Sequence, residues 1–137
     1  MKMSKILEKA LYGVSKPVVR TYTNTMLDMD VHKKSPFPAG AKIIAPNHPS
    51  TTDPFYIASM LGHQSFIMIN NVLFQVPVLG AYLRRSGHIP VIAGQGQEAI
   101  DAALEHLKAG HTIMIFPEGL ISPLKGGFNK PRTGVAR

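Results

Sequence analysis

The sequence predicts an α/β fold: a mostly parallel or mixed sheet flanked by helices and preceded by an N-terminal amphipathic helix. Three observations predict it. Short apolar, β-branched runs recur along the chain as AKIIAP, SFIMIN, HIPVIA and TIMIF. Segments of helical period or composition stand between them. Proline, glycine and aspartate or asparagine punctuate the junctions.

Taken in order, residues 3 to 27 read as the amphipathic helix. Met3, Ile6, Leu7, Ala10, Leu11, Val14 and Val18 recur at three- and four-residue steps. Lys2, Lys5, Lys9, Lys16 and Arg20 add positive charge near that face or its ends, and Gly13 with Pro17 predicts a break or kink. Such a helix either lies on an anionic membrane or packs on the domain. Residues 28 to 33 read as a short strand, KSPFPAG as a loop and AKIIAP as a strand. A helix is expected from Asp53 to about Leu61, with Asp53 as N-cap and Pro54 as first helical residue. SFIMIN is a strand. The stretch NVLFQVPVLGAYLRR is helical with an interruption near Pro77, and HIPVIA is a strand. Gln95 to Ala109 is a helix with Ala99, Ala102, Ala103 and Leu107 inward and Gly110 as its stop. TIMIF is the last strand. These elements divide into a helical segment, 1–27, and an α/β domain, 28–137.

The 137 residues suffice for one modest domain with a core. The absence of cysteine excludes disulfides. No apolar run approaches the roughly 18 residues of a spanning helix, and lysines interrupt any signal-type core at the N-terminus. A net charge of +7 favours anionic partners, among them lipid headgroups, phosphorylated substrates, coenzyme A and nucleic acid. No zinc finger, RNP block or arginine-rich tract appears, so nucleic acid is not the expected partner.

The run NHPSTTD, residues 47 to 53, carries the most chemical information. Pro49 pushes the backbone of His48 out of the α region, so the segment is a turn between strand and helix. On one continuous helix His48 and Asp53 would diverge by roughly 140°. A turn that folds back instead brings the carboxylate to the imidazole. That contact fixes the tautomer and leaves the other ring nitrogen free as a base. The plainer reading makes Asp53 a helix cap and nothing more. Later, TIMIF runs into Pro117-Glu118-Gly119, a strand ending in a sharp turn that presents one carboxylate where α/β sheets carry their sites.

Together these blocks resemble the glycerolipid acyltransferase family, whose members acylate lysophosphatidic acid and related acceptors. The family's His-x4-Asp block, usually NHxSxxD, is met by Asn47, His48, Ser50 and Asp53. Its FPEG block is met by Phe116, Pro117, Glu118 and Gly119. The resemblance runs from about Asp28 to Arg137 and implies a glycerol-3-phosphate acyltransferase-like fold. It also implies acyl transfer from acyl-CoA or acyl-carrier protein to a lysophospholipid hydroxyl, with His48 as general base oriented by Asp53. No bound cofactor is implied; the acyl thioester is a co-substrate. Asn47, Ser50, Gly87, Ile89, Pro117, Glu118 and Gly119 are the expected substrate-side residues. Glu118 either shapes the acceptor site or serves as a structural carboxylate. Backbone amides at the start of the following helix are candidates to hold developing negative charge.

The chain departs from the family in two places. The block Gly-x-Ile-x-Val-x-Arg is met by Gly87, Ile89 and Val91, but Ala93 stands at the arginine. Leu120, Ile121 and Ser122 follow FPEG where the family often has Thr-Arg-Ser, so that arginine is also absent. Two phosphate-gripping arginines are therefore missing, which leaves Arg84, Arg85, Lys125, Lys130 and Arg132 as replacements or as a solvated basic face. Family members also extend further beyond FPEG, so the chain looks truncated at its C-terminus. The remaining histidines show no ligand spacing, His106 is expected to be exposed, and no metal is expected. The expected setting is peripheral, on the cytoplasmic face of an anionic phospholipid membrane. The alternative is a family-like protein that binds membrane lipid with little or no turnover.

Overall fold

The computed structural model describes residues 2–26, 31–123 and 125–133. Helix α1 spans Lys2–Met26. It is followed by β1 (Lys42–Ile44), α2 (Asp53–Met60), β2 (Ser65–Asn70), α3 (Asn71–Phe74), α4 (Leu79–Arg85), β3 (Ile89–Val91), α5 (Gly96–Lys108) and β4 (Thr112–Met114). All four strands are parallel, in the order β1-β4-β2-β3. Strand β4 is the axis of the site. Its Thr112, Ile113 and Met114 pair with Lys42, Ile43 and Ile44 on one side and with Ser65, Phe66 and Ile67 on the other.

Strand periodicity sorts the core into two layers. Phe66, Ile89 and Ile113 point to one face and pack with Ala99 and Ala103 of α5. Ile67 and Met114 point to the other and pack with Leu61, which closes α2. Ile113 and Met114, at 1% and 0% exposure, are adjacent residues buried on opposite faces. That is the signature of a central parallel strand covered on both sides.

The expected inward face of α5 is the observed one: Ala99 and Ala103 are buried, with Ala102 and Leu107 packed beside them. Gly110 ends the helix at φ +84°, the left-handed region that glycine enters without steric cost. Pro77 divides α3 from α4 as expected. Gly80 in α4 crosses tightly over α3, where a Cβ would stand 2.0 Å from the Phe74 carbonyl oxygen.

Three sequence expectations are corrected. Residues 31–33 form no strand; of the stretch predicted there, 28–30 lie outside the described residues. Helix α1 is continuous through Gly13 and Pro17. An internal proline costs a helix about 3 kcal/mol, and tertiary anchors on both sides of Gly13 help to offset it. The Tyr12 hydroxyl donates to the His63 carbonyl (2.6 Å), and the Lys16 ammonium donates to the Leu61 carbonyl (2.7 Å). Leu61 is the C-cap of α2, so the Lys16 cation also meets the negative end of that helix. His106 is half-buried rather than exposed: its ring lies 4.0 Å from that of Phe66, and its Nδ1 is 3.1 Å from Nδ1 of His111.

Those anchors also decide which face of α1 turns inward. Tyr12, Ser15, Lys16, Val19 and Thr23 lie against the domain. The apolar stripe is displaced around the helix and left open, with Ile6 68%, Val14 68% and Val18 64% exposed. No helix among the described residues is long and apolar enough to cross a membrane.

Candidate active site

Two chain segments leave neighbouring strands at the same end of the sheet and meet there. β1 runs into the NHPSTTD turn and β4 into FPEG. The β1–β4 pairing therefore brings His48 and Glu118 together across 70 residues of sequence. The Ile115 amide donates to the Ile44 carbonyl (3.0 Å), extending the pairing toward the turns.

The turn folds back as the sequence predicts. His48 Nδ1 lies 3.1 Å from Asp53 Oδ2. The same oxygen accepts the Ser50 amide at 2.7 Å, while the Asp53 amide donates to the Ser50 carbonyl at 3.3 Å. The N-cap assignment is corrected by one position. Thr52 is the N-cap and makes no side-chain cap bond, and Asp53 is the first helical residue. Its carboxylate is thereby free to turn back over the loop and sit beside the imidazole. Ser50 Oγ is occupied locally, 2.8 Å from Thr52 Oγ1.

The imidazole stacks on Phe116, with centroids 4.1 Å apart. Asp53 holds Nδ1, and Nε2 has no partner among the described residues. With a carboxylate on Nδ1, the favoured neutral tautomer carries its proton there and leaves the Nε2 lone pair open.

Glu118 is 6% exposed and its carboxylate is fully engaged. It accepts the Asn129 amide (2.8 Å), the His48 amide (3.1 Å) and the Ser122 hydroxyl (2.9 Å). The Asn129 amide is the largest cause holding this carboxyl below its ordinary value; the His48 amide and Ser122 hydroxyl add to it, and burial opposes them. Gly119 adopts φ +67°, as the turn requires, and the Arg132 side chain lies against it. The Arg132 amide donates to the Pro117 carbonyl at 2.8 Å.

A cleft of about 1320 Å³ opens beside His48. Its wall is largely apolar, including Ile67, Leu79, Leu83 and Val91, and α1 contributes Tyr12 and Val19. Pro117, Gly119 and Arg132 also line it. Asn47, Ser50, Gly87, Ile89 and Glu118 do not. Asn47 is exposed, Gly87 turns at φ +74° after α4, and Ile89 is a core residue at 3% exposure. Among the basic replacements, Arg132 reaches the cleft, whereas Arg84 donates to the Phe74 carbonyl at 2.5 Å. Ser122, Asn129 and the ring of Phe116 are site contacts that sequence reasoning missed. Ser122 stands three residues beyond Gly119, but nothing local announces its contact with His48. Among the described residues no cluster of three or more potential metal ligands occurs.

His88 also borders the cleft, and its Nδ1 accepts the Ile67 amide at 3.2 Å. Burial, with a smaller contribution from His106, pushes its pKa from 6.5 to about 4. The unfolded chain therefore binds the extra proton between those values, and stability falls as pH drops through that window. The expected loss is about 3 kcal/mol from pH 6.5 to 4. Urea unfolding across this range checks it. His88→Asn, which keeps an acceptor for the Ile67 amide, is expected to flatten most of the slope.

The fold and the cleft at its strand ends define an α/β protein of the kind that gathers its site at the carboxyl ends of parallel strands. A family model described as Acyltransferase matches residues 28–137, and the chain belongs to that family. Neither the curated proteins nor the solved structures compared gave a match.

Proposed function

We propose that this acyltransferase moves a fatty acyl group from acyl-CoA or acyl-carrier protein to the hydroxyl of a lysophospholipid, lysophosphatidic acid being the model acceptor. The observation that carries the reading is the His48–Asp53 contact, with an open Nε2 beside a large apolar cleft. His48 Nε2 takes the proton as the acceptor oxygen attacks the thioester carbonyl. The tetrahedral intermediate collapses, the carbon–sulfur bond breaks, and the imidazolium returns its proton to the leaving thiolate. The Asp53 carboxylate on Nδ1 stabilises the imidazolium. No acyl-enzyme is needed, and the chain has no cysteine to form a thioester one.

The cleft exceeds the roughly 300–1,000 Å³ of common small-ligand sites, which suits an acyl chain and a lipid acceptor together. Arg132 is the cation suited to meet the acceptor's phosphate, in place of the two missing arginines. The exposed stripe of α1, together with the net charge of +7, suits peripheral docking on an anionic phospholipid surface at the cytoplasmic face.

The test supplies acyl-CoA and lysophosphatidic acid in anionic vesicles and follows thiol release alongside the diacyl product. Equal yields of thiol and product are expected. Vesicle binding without either product would favour the alternative, a lipid-binding protein without turnover.

A further inference from the structure

The NHPSTTD turn carries the base, yet it is an irregular loop followed by an eight-residue helix with no buried residue. Its own hydrogen bonds fix Asp53 relative to Ser50 and do not fix His48 relative to the sheet. The groups that do so come from the other turn. The His48 amide donates to Glu118 Oε1 at 3.1 Å, and the His48 carbonyl accepts the Ser122 amide at 2.7 Å. Both polar groups of the His48 backbone are thus taken by one five-residue stretch. The Ser122 hydroxyl closes the arrangement, lying 2.9 Å from each oxygen of Glu118. Ser122 is 7% exposed and Glu118 6%, so water does not readily replace these bonds.

We propose that Ser122 is a positioning residue for His48, its hydroxyl orienting the Glu118 carboxylate so that the two turns clamp the peptide carrying the base. This rests on the reading of His48 as general base. The clamp acts through geometry. The Glu118 carboxylate has two oxygens and three donors: Oε1 serves His48, Oε2 serves Asn129, and the Ser122 hydroxyl bridges both. Without that hydroxyl each carboxylate oxygen keeps a single amide donor and the bridge between them is gone, so the acceptor of the His48 amide is held less tightly. Glu118 on this account works by holding the histidine in place, which matches its absence from the cleft wall.

The experiment compares Ser122→Ala, Ser122→Thr and a control, Ala103→Gly, that loosens the core on the α5 side away from the site. Exchange of the His48 amide with solvent reads the clamp directly, and steady-state kinetics read its consequence. Ser122→Ala is expected to speed that exchange about tenfold and to lower kcat about tenfold, with KM for the thioester changed less than about twofold. Ser122→Thr is expected to recover much of both, and the control to leave both near wild type despite a lowered melting temperature. Exchange and kcat both within about twofold of wild type in Ser122→Ala would overturn the proposal. Faster exchange with unchanged kcat would overturn it too, because the bond would then hold the peptide without positioning the base. A wild-type protein without acyl transfer would sink the functional reading instead. The clamp would then stand or fall on the exchange rate alone.

Discussion

Replacing His48 with alanine is expected to lower acyl transfer by on the order of 10²–10⁴-fold in kcat, the usual worth of a positioned general base. The acceptor hydroxyl has a pKa far above neutrality, so an unassisted attack leaves nearly all of its proton in place. No other imidazole replaces the lost one. The His88 ring points its Nδ1 at the Ile67 amide, and His63 sits with Thr112 at the opposite end of β4. The fold should survive. Alanine keeps the backbone bonds of position 48 to Glu118 and Ser122, and loses mainly the stacking on Phe116. That contact is worth about 0.5–1.5 kcal/mol. A thermal melt near wild type alongside a collapsed kcat is the expected pair of results. Activity near wild type would remove His48 from the chemistry.

Asp53→Asn is expected to be nearly as damaging, with a loss on the order of 10²–10⁴-fold, although it changes no volume. The carboxylate oxygen now accepts the Ser50 amide and faces His48 Nδ1 together. In the amide, the oxygen that keeps the Ser50 N–H is the same atom that faces Nδ1, so both contacts can survive. What is lost is the negative charge that stabilises the imidazolium. The loss should fall on kcat, with KM for either substrate little changed, because Asp53 does not line the cleft. Equal losses in Asp53→Asn and Asp53→Ala would point to the charge of Asp53 rather than to its hydrogen bonds. Full activity in Asp53→Asn would reduce Asp53 to a loop constraint.

The sequence disclosed the sheet because each strand is a compact β-branched run with clear stops. SFIMIN became β2 over its full length, and TIMIF became β4 with its tail running into the turn. His48 and Asp53 were legible because their geometry is local: Pro49 and Pro54 bracket the turn that joins them. The orientation of α1 was not. Its apolar stripe suited either an anionic membrane or the domain, and it is Tyr12 and Lys16, reaching backbone carbonyls of the domain, that turn a neighbouring face inward. The partners of Glu118 were equally hidden. Ser122, Asn129 and His48 converge on it from three positions that only the β1–β4 pairing and the folded loop bring together. Ile89 was placed at the site by motif matching, whereas the side-chain alternation of β3 sends it into the α5 layer. The same pattern accounts for the displaced N-cap. Asp before Pro is a good cap in isolation, but the folded-back turn draws the carboxylate to Ser50 and His48.

The most direct measurement is the nitrogen NMR spectrum of the His48 imidazole in the intact protein at neutral pH, assigned by its disappearance in His48→Ala. In the neutral form of the ring the proton is expected on Nδ1, with an unprotonated Nε2 whose signal moves when a lysophospholipid acceptor is added. A ring carrying its proton on Nε2, or one unresponsive to both acceptor and Asp53→Asn, would contradict that expectation.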